Sequence, residues 1–167
     1  ESNLIFMTLS GKVSVNVEKD YYFLNFPSRM PVKAELPLNL EKSLSKKPQE
    51  VFKSRDFVLV YENLEDVKNI QIERNIFDTL NLGTGGVIIT APGDNVDFVS
   101  RFFTPRATLL EDPVTGSAHC SLIPYWAKKL NKEEMQAKQL SQRGGELLCH
   151  NRGDRVLIGG KARTYLK

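Results

Sequence analysis

The residues of this chain best suited to chemistry fall in one run, Glu111-Asp112-Pro113-Val114-Thr115-Gly116-Ser117-Ala118-His119. Two acids and a proline make a loop that resists helix formation. Thr115 or Ser117 is placed to cap the helix that follows. Gly116 lets the backbone approach a ligand with no Cβ in the way. The N–H groups of Gly116, Ser117 and Ala118 then point outward at the helix start. Such a terminus attracts an anion through its unpaired donors and its dipole. A substrate carboxylate is the expected guest, with the hydroxyls of Thr115 and Ser117 adding directional bonds. Asp112 is placed to hold or polarise that substrate, or to move a proton. His119, at the end of the run, also reads as a satisfied structural histidine. The same text also reads as an ordinary helix start, since a hydroxyl cap with acids beside it suits the dipole. The residues by themselves leave both readings open.

The elements that must position this run are mostly strands. Leu4 to Leu9 is an apolar strand, Ser10-Gly11 a turn, and Lys12 to Glu18 alternates with Val13, Val15 and Val17 on one face. Tyr21 to Phe26 is a third strand, ended by Pro27 and Pro31. Residues 32 to 55 read as a linker rich in Lys, Pro and Ser, with a short helix around Leu40 and Leu44. Asp56 to Tyr61 is a strand of the buried type. Asn63 caps a short helix, with Asp66 three residues on, and Ile72, Ile76 and Leu80 recur at helical spacing. Val87 to Thr90 and Val96 to Phe103 are strands.

Ser117 to Leu130 is the dominant helix, with Ala118, Leu122, Ile123, Trp126 and Leu130 as a wide apolar stripe. Pro124 inside it predicts a kink near Cys120 or an irregular start. Four strands follow, Lys138–Ser141, Glu146–Cys149, Arg155–Ile158 and Ala162–Leu166. Arg143-Gly144-Gly145, Asn151-Arg152-Gly153-Asp154 and Gly159-Gly160 read as the turns between them. Strands do not alternate with long helices, so the class is α+β and not a doubly wound sheet.

Composition narrows the function classes. The chain has 167 residues, 41% hydrophobic and 26% charged, which suits a globular chain with a real core. A net charge of +3 with scattered Lys and Arg argues against a nucleic-acid groove. Lys42, Lys46, Lys47, Lys53 and Arg55 read as a solvated surface. No apolar stretch reaches the length of a membrane span. Cys120 and Cys149 are too few for a disulfide framework, which points to a reducing, cytoplasmic setting. The adjacent pairs His119-Cys120 and Cys149-His150 lack zinc-ligand spacing, so no metal is expected. Gly83-Thr84-Gly85-Gly86 lacks the ending of a phosphate loop and reads as a turn.

The run from Glu111 to His119 closely resembles the signature of the phenazine-biosynthesis-F-like (PhzF-like) family. Ser54-Arg55-Asp56-Phe57-Val58-Leu59-Val60, Ala91-Pro92-Gly93, Asp97-Phe98-Val99-Ser100-Arg101-Phe102-Phe103 and Arg143-Gly144-Gly145-Glu146-Leu147 resemble the same family in the same order, as does Thr8-Leu9-Ser10-Gly11. The resemblance implies a diaminopimelate-epimerase-like fold, two similar domains with mixed or antiparallel strands wrapped round a central helix and a cleft between them. Residues 1–31 would close the amino-terminal domain, 32–55 would link, and 56–167 would form the carboxy-terminal domain. Asp112 to Ala118 would line the cleft. Thr115 stands where diaminopimelate epimerase carries one of its two cysteines, so cysteine-based racemisation is not expected.

The resemblance further implies an isomerase or epimerase-like protein that moves a proton within a small carboxylated metabolite without a cofactor, using a glutamate base. That glutamate has no counterpart here, since Glu62, Glu65 and Glu73 read as surface residues. The expectation is therefore a fragment, or a naturally shortened relative, lacking the amino-terminal half. Asp112 is the expected catalytic residue, and Thr115, Gly116, Ser117, Ala118 and His119 the substrate-binding set. The alternative is a catalytically incomplete binding or interaction protein, with a homodimer or the missing domain covering its exposed edges.

Overall fold

Fifteen elements build this computed structural model, which describes residues 3–8 and 11–162. Strands β1 (Asn3–Thr8), β2 (Gly11–Glu18) and β3 (Tyr21–Pro27) form an antiparallel meander. Leu9 and Ser10, and the last expected strand beyond Ala162, lie outside the described residues. β3 pairs antiparallel with β11 (Arg155–Gly160), with Phe26 opposite Val156 and Leu24 opposite Ile158. The meander therefore continues into one sheet of eleven strands, in the order β1-β2-β3-β11, β10 (Gly145–Arg152), β9 (Glu134–Gln139), β8 (Phe98–Phe103), β7 (Val87–Pro92), β6 (Phe57–Val60), β5 (Glu50–Lys53), β4 (Val32–Lys33).

The stretch 32–55, expected as a linker, belongs to that sheet. It holds β4 (Val32–Lys33), α1 (Leu38–Lys42) and β5 (Glu50–Lys53). β5 pairs antiparallel with both β4 and β6 (Phe57–Val60), and Leu40 is fully buried. The sheet is mixed. β6 runs parallel to β7 (Val87–Pro92), and β8 (Phe98–Phe103) runs parallel to β9 (Glu134–Gln139); the other pairings are antiparallel.

The unbroken apolar runs of β6, β7 and β8 follow from cores on both of their faces. Val58, Val60, Ile88, Phe98 and Phe102 pack with α4 (Gly116–Leu130). Phe57, Leu59, Val87, Ile89, Val99 and Phe103 face a second core with Leu40, Val67 of α2 (Leu64–Asn69) and Phe77 of α3 (Arg74–Phe77). α2 starts as expected, with Asp66 N–H donating to Asn63 Oδ1 at 3.0 Å. The spacing of Ile72, Ile76 and Leu80 yields only one helical turn, α3.

Residues from β6 through β11 all join the core around α4, so the sheet wraps round that helix. Trp126 stacks on Phe98 at 5.6 Å and donates its indole N–H to Thr90 Oγ1 at 3.0 Å. α4 is helical without a break through Pro124. Proline leaves the carbonyl four residues earlier without its helical donor. That carbonyl, of Cys120, accepts the backbone N–H of Arg29 at 2.8 Å. Asn131 ends α4 in the left-handed region, at φ 51°.

Two expected turns close hairpins, before and after β10 (Gly145–Arg152), with Gly144 and Gly153 at positive φ. The third does not. Gly159 and Gly160 lie inside β11, where a Cβ on Gly159 would stand 2.5 Å from the Phe23 ring. Close approach of that ring, and not a turn, needs the glycine.

Candidate active site

The loop between β8 and α4 is pinned at both ends before it reaches the helix. Arg101 on β8 holds Glu111 with two charged bonds, at 2.6 and 2.9 Å, and its third nitrogen donates to the carbonyls of Val67, Lys68 and Ile70 at the end of α2. Asp112 N–H donates to Phe102 O at 3.0 Å. Ser141 Oγ donates to Pro113 O at 2.6 Å. Gly145 admits Val114, whose side chain occupies the place a Cβ would take.

Gln139 fixes the polarity of the next step. It is buried at the inward end of β9, following Met135 and Ala137 on that face. Its Oε1 accepts Thr115 N–H at 2.8 Å, and its Nε2 donates to Asp112 O at 2.7 Å. A backbone N–H only donates and a carbonyl only accepts, so the amide has one possible orientation. Nε2 also reaches Thr115 Oγ1 at 3.3 Å. The threonine hydroxyl, receiving that donor, sends its own hydrogen to Asp112 Oδ2. The chain of donors thus runs from Gln139 through Thr115 to the Asp112 carboxylate.

Because Thr115 bonds Asp112, its side chain does not cap α4. The first-turn N–H groups of Gly116, Ser117 and Ala118 have no partner within the helix by its geometry. Nothing lies within 4 Å of where a Gly116 Cβ would stand. Gly116 and Ser117 are partly exposed, whereas the Ala118 side chain is packed in the core. Arg55, from the turn before β6, donates through Nη2 to Ser117 Oγ at 3.0 Å. Asp112, Thr115, Gly116 and Ser117 therefore come together at one helix end.

His119 does not join them. It is fully buried against Phe98, with Nδ1 2.9 Å from Thr115 O. The carbonyl can only accept, so Nδ1 carries the hydrogen and the buried Nε2 is a bare lone pair without a partner. Burial, against a smaller opposing effect of that hydrogen bond, holds the ring's pKa down to about 4. His119 is a neutral core group that carries the Thr115 carbonyl. Cys120 and Cys149 are free and buried, and burial pushes both thiols up, away from the thiolate.

Sequence reasoning missed Gln139 and Arg55. A polar residue at an inward position of the alternating strand Glu134–Gln139 was the signal for the first. Arg55 beside an acid that opens a buried strand was the signal for the second. A groove of about 460 Å³, lined by Tyr21, Leu64, Lys68, Lys138, Glu146 and Leu148 among others, lies elsewhere, between α2 and strands β9 and β10.

A family model described as phenazine biosynthesis-like protein matches residues 4–167. An uncharacterized isomerase of Pseudomonas aeruginosa is 47% identical over 160 residues, 95% of this chain and 60% of that protein. A human phenazine biosynthesis-like domain-containing protein is 36% identical over 99% of this chain and 64% of its own length. The crystal structure of a PhzF-family phenazine biosynthesis protein from Enterococcus faecalis superposes with a TM-score of 0.92 at 42% identity, covering 99% of this chain and 64% of that one. The chain thus spans about three fifths of the length of the curated relatives it matches.

Proposed function

From the premise that this chain belongs to the phenazine biosynthesis-like family, we propose that it forms one wall of an isomerase site for cofactor-independent proton transfer on a small carboxylated metabolite. The observation that carries the reading is the open first turn of α4 beside Asp112. The substrate carboxylate accepts the N–H groups of Gly116, Ser117 and Ala118, where the dipole and the free donors favour an anion. The Ser117 hydroxyl adds a directed bond. This fixes the carbon next to the carboxylate, the position from which a proton is lost.

Asp112 orients the substrate and assists the proton's movement, with Oδ2 held by Thr115 and Oδ1 left for the ligand. The general base is a glutamate outside these 167 residues, and the greater length of the relatives supports that placement. Cysteine chemistry has no support, since Thr115 stands in the loop and both thiols are buried and raised. Among the described residues no helix is long and apolar enough to cross a membrane. With two free thiols, we read the setting as cytoplasmic.

Amide chemical-shift mapping with benzoate, a simple carboxylate probe, tests the site. Saturable shifts centred on Gly116, Ser117 and Ala118 are expected. Shifts centred on the Tyr21–Lys68–Lys138 groove instead, or none, would refute the carboxylate site.

A second reading rests on β1. Leu4, Ile5, Phe6 and Met7 are 51, 55, 50 and 81% exposed on a strand at the end of the sheet. Such an edge invites pairing with a second copy or a further segment. On that reading the protein keeps the carboxylate pocket but binds or interacts without turnover. Light scattering over a wide concentration range is expected to show a homodimer; a clean monomer throughout would contradict the pairing.

A further inference from the structure

We infer that Arg55 is a specificity-determining residue of the α4 site, selecting a ligand's carboxylate over its neutral amide; the inference rests on the carboxylate-site reading given above. Arg55 stands 62 residues before Ser117 in sequence yet bonds its hydroxyl directly. It is held there by Asp56, whose side chain is fully buried and takes Nε and Nη2 of Arg55 at distances between 2.9 and 3.2 Å. Asp56 is itself fixed by the N–H of Gly86 at 2.8 Å. A buried carboxylate is costly to keep unless its partners are well placed, so this fork sets the plane of the guanidinium.

The remaining donors point to a ligand. Nη2 uses one hydrogen on Asp56 and the other on Ser117. Nη1 carries two more, with no protein acceptor among the described residues, and the Arg55 side chain is 33% exposed. Ser117 Oγ already accepts from Arg55, so its own hydrogen is free for an acceptor other than Arg55. The guanidinium, that hydroxyl and the N–H groups of α4 then present a set dominated by donors at the helix end, beside the Asp112 carboxylate. Asp56 cancels the charge of Arg55, so the selection is made by directed donors and not by net charge. A carboxylate, with lone pairs on both oxygens, satisfies such a set; a primary amide brings hydrogens of its own against it.

The test compares benzoate with benzamide on the whole chain, following the Gly116 to Ala118 amides. The native chain is expected to prefer benzoate by about tenfold, the margin of a charge-assisted bond. Arg55→Gln is expected to cut that preference severalfold, leaving only the part the helix terminus supplies, while benzoate still shifts the Gly116 amide, and Arg55→Lys to retain more of it. An undiminished preference in Arg55→Gln would overturn the role of Arg55 and leave the carboxylate site standing. No shift at these amides in the native chain would overturn both. Should Arg55→Gln unfold by orphaning Asp56, the double variant Arg55→Gln, Asp56→Asn restores a neutral hydrogen-bonded pair and carries the same comparison.

Discussion

Gln139 and His119 are the two side chains that hold Thr115, one through its N–H and hydroxyl, the other through its carbonyl. Replacing Gln139 by Leu leaves a buried N–H and a carbonyl without partners. The expected loss is about 2 kcal/mol in urea denaturation, and a loss near zero would contradict the assigned network. His119 predicts a pH effect. Its folded pKa, about 4, lies below the ordinary 6.5 because the buried ring resists a proton. Between those values the unfolded chain binds more protons, so stability falls as pH is lowered from about 6.5 towards 4. The loss is absent above that window and approaches about 3 kcal/mol at its acid end. His119→Asn, which keeps a donor for the Thr115 carbonyl, is expected to flatten the pH dependence of the urea midpoint; an unchanged slope would show that another group titrates. The grouping of Asp112, Thr115, Gly116 and Ser117 at one helix end was legible because the loop that carries them is short. The burial of His119 was not, since its neighbour Phe98 lies on a strand 21 residues away.

Element by element, the surprises come from groups that serve a partner far along the chain. Pro124 was legible as a gap in the helix, but not its filling, because Arg29 is distant in sequence. The Arg29 amide, outside the regular strands, is expected to exchange its hydrogen as slowly as core amides of α4. Free exchange at Arg29 would mean that the Cys120 carbonyl is not held. Gly159-Gly160 looks like a turn by composition, yet its cause is the Phe23 ring packed across β11. Gly159→Ala is expected to cost about 1–3 kcal/mol in thermal or urea unfolding by overpacking that contact; a neutral outcome would mean that the ring moves aside freely. The strand expected at Lys138–Ser141 runs earlier, Glu134–Gln139, and the alternation of Met135, Ala137 and Gln139 carried that information.

At the scale of the molecule, a strand-rich chain round one apolar helix was legible, because α4, alone among the described helices, has an apolar stripe wide enough to be enclosed. The pairing of β3 with β11 and the entry of residues 32–55 into the sheet were not. Those pairings are set by burial across long sequence separations, and short strands carry no label of their partner. The enclosed helix presents its first turn and Asp112 at one end, with Gln139 and Arg55 supporting them from β9 and from the turn before β6. The role proposed for this end is proton transfer. The most direct measurement follows deuterium uptake from D2O into a panel of small carboxylic acids bearing hydrogen next to the carboxylate. It uses a polypeptide extended to the full length of the relatives, with and without Asp112→Ala. Uptake into at least one acid, abolished by Asp112→Ala while the protein stays folded, is the predicted result. Uptake that survives Asp112→Ala unchanged would remove Asp112 from the chemistry and contradict its proposed role in proton transfer.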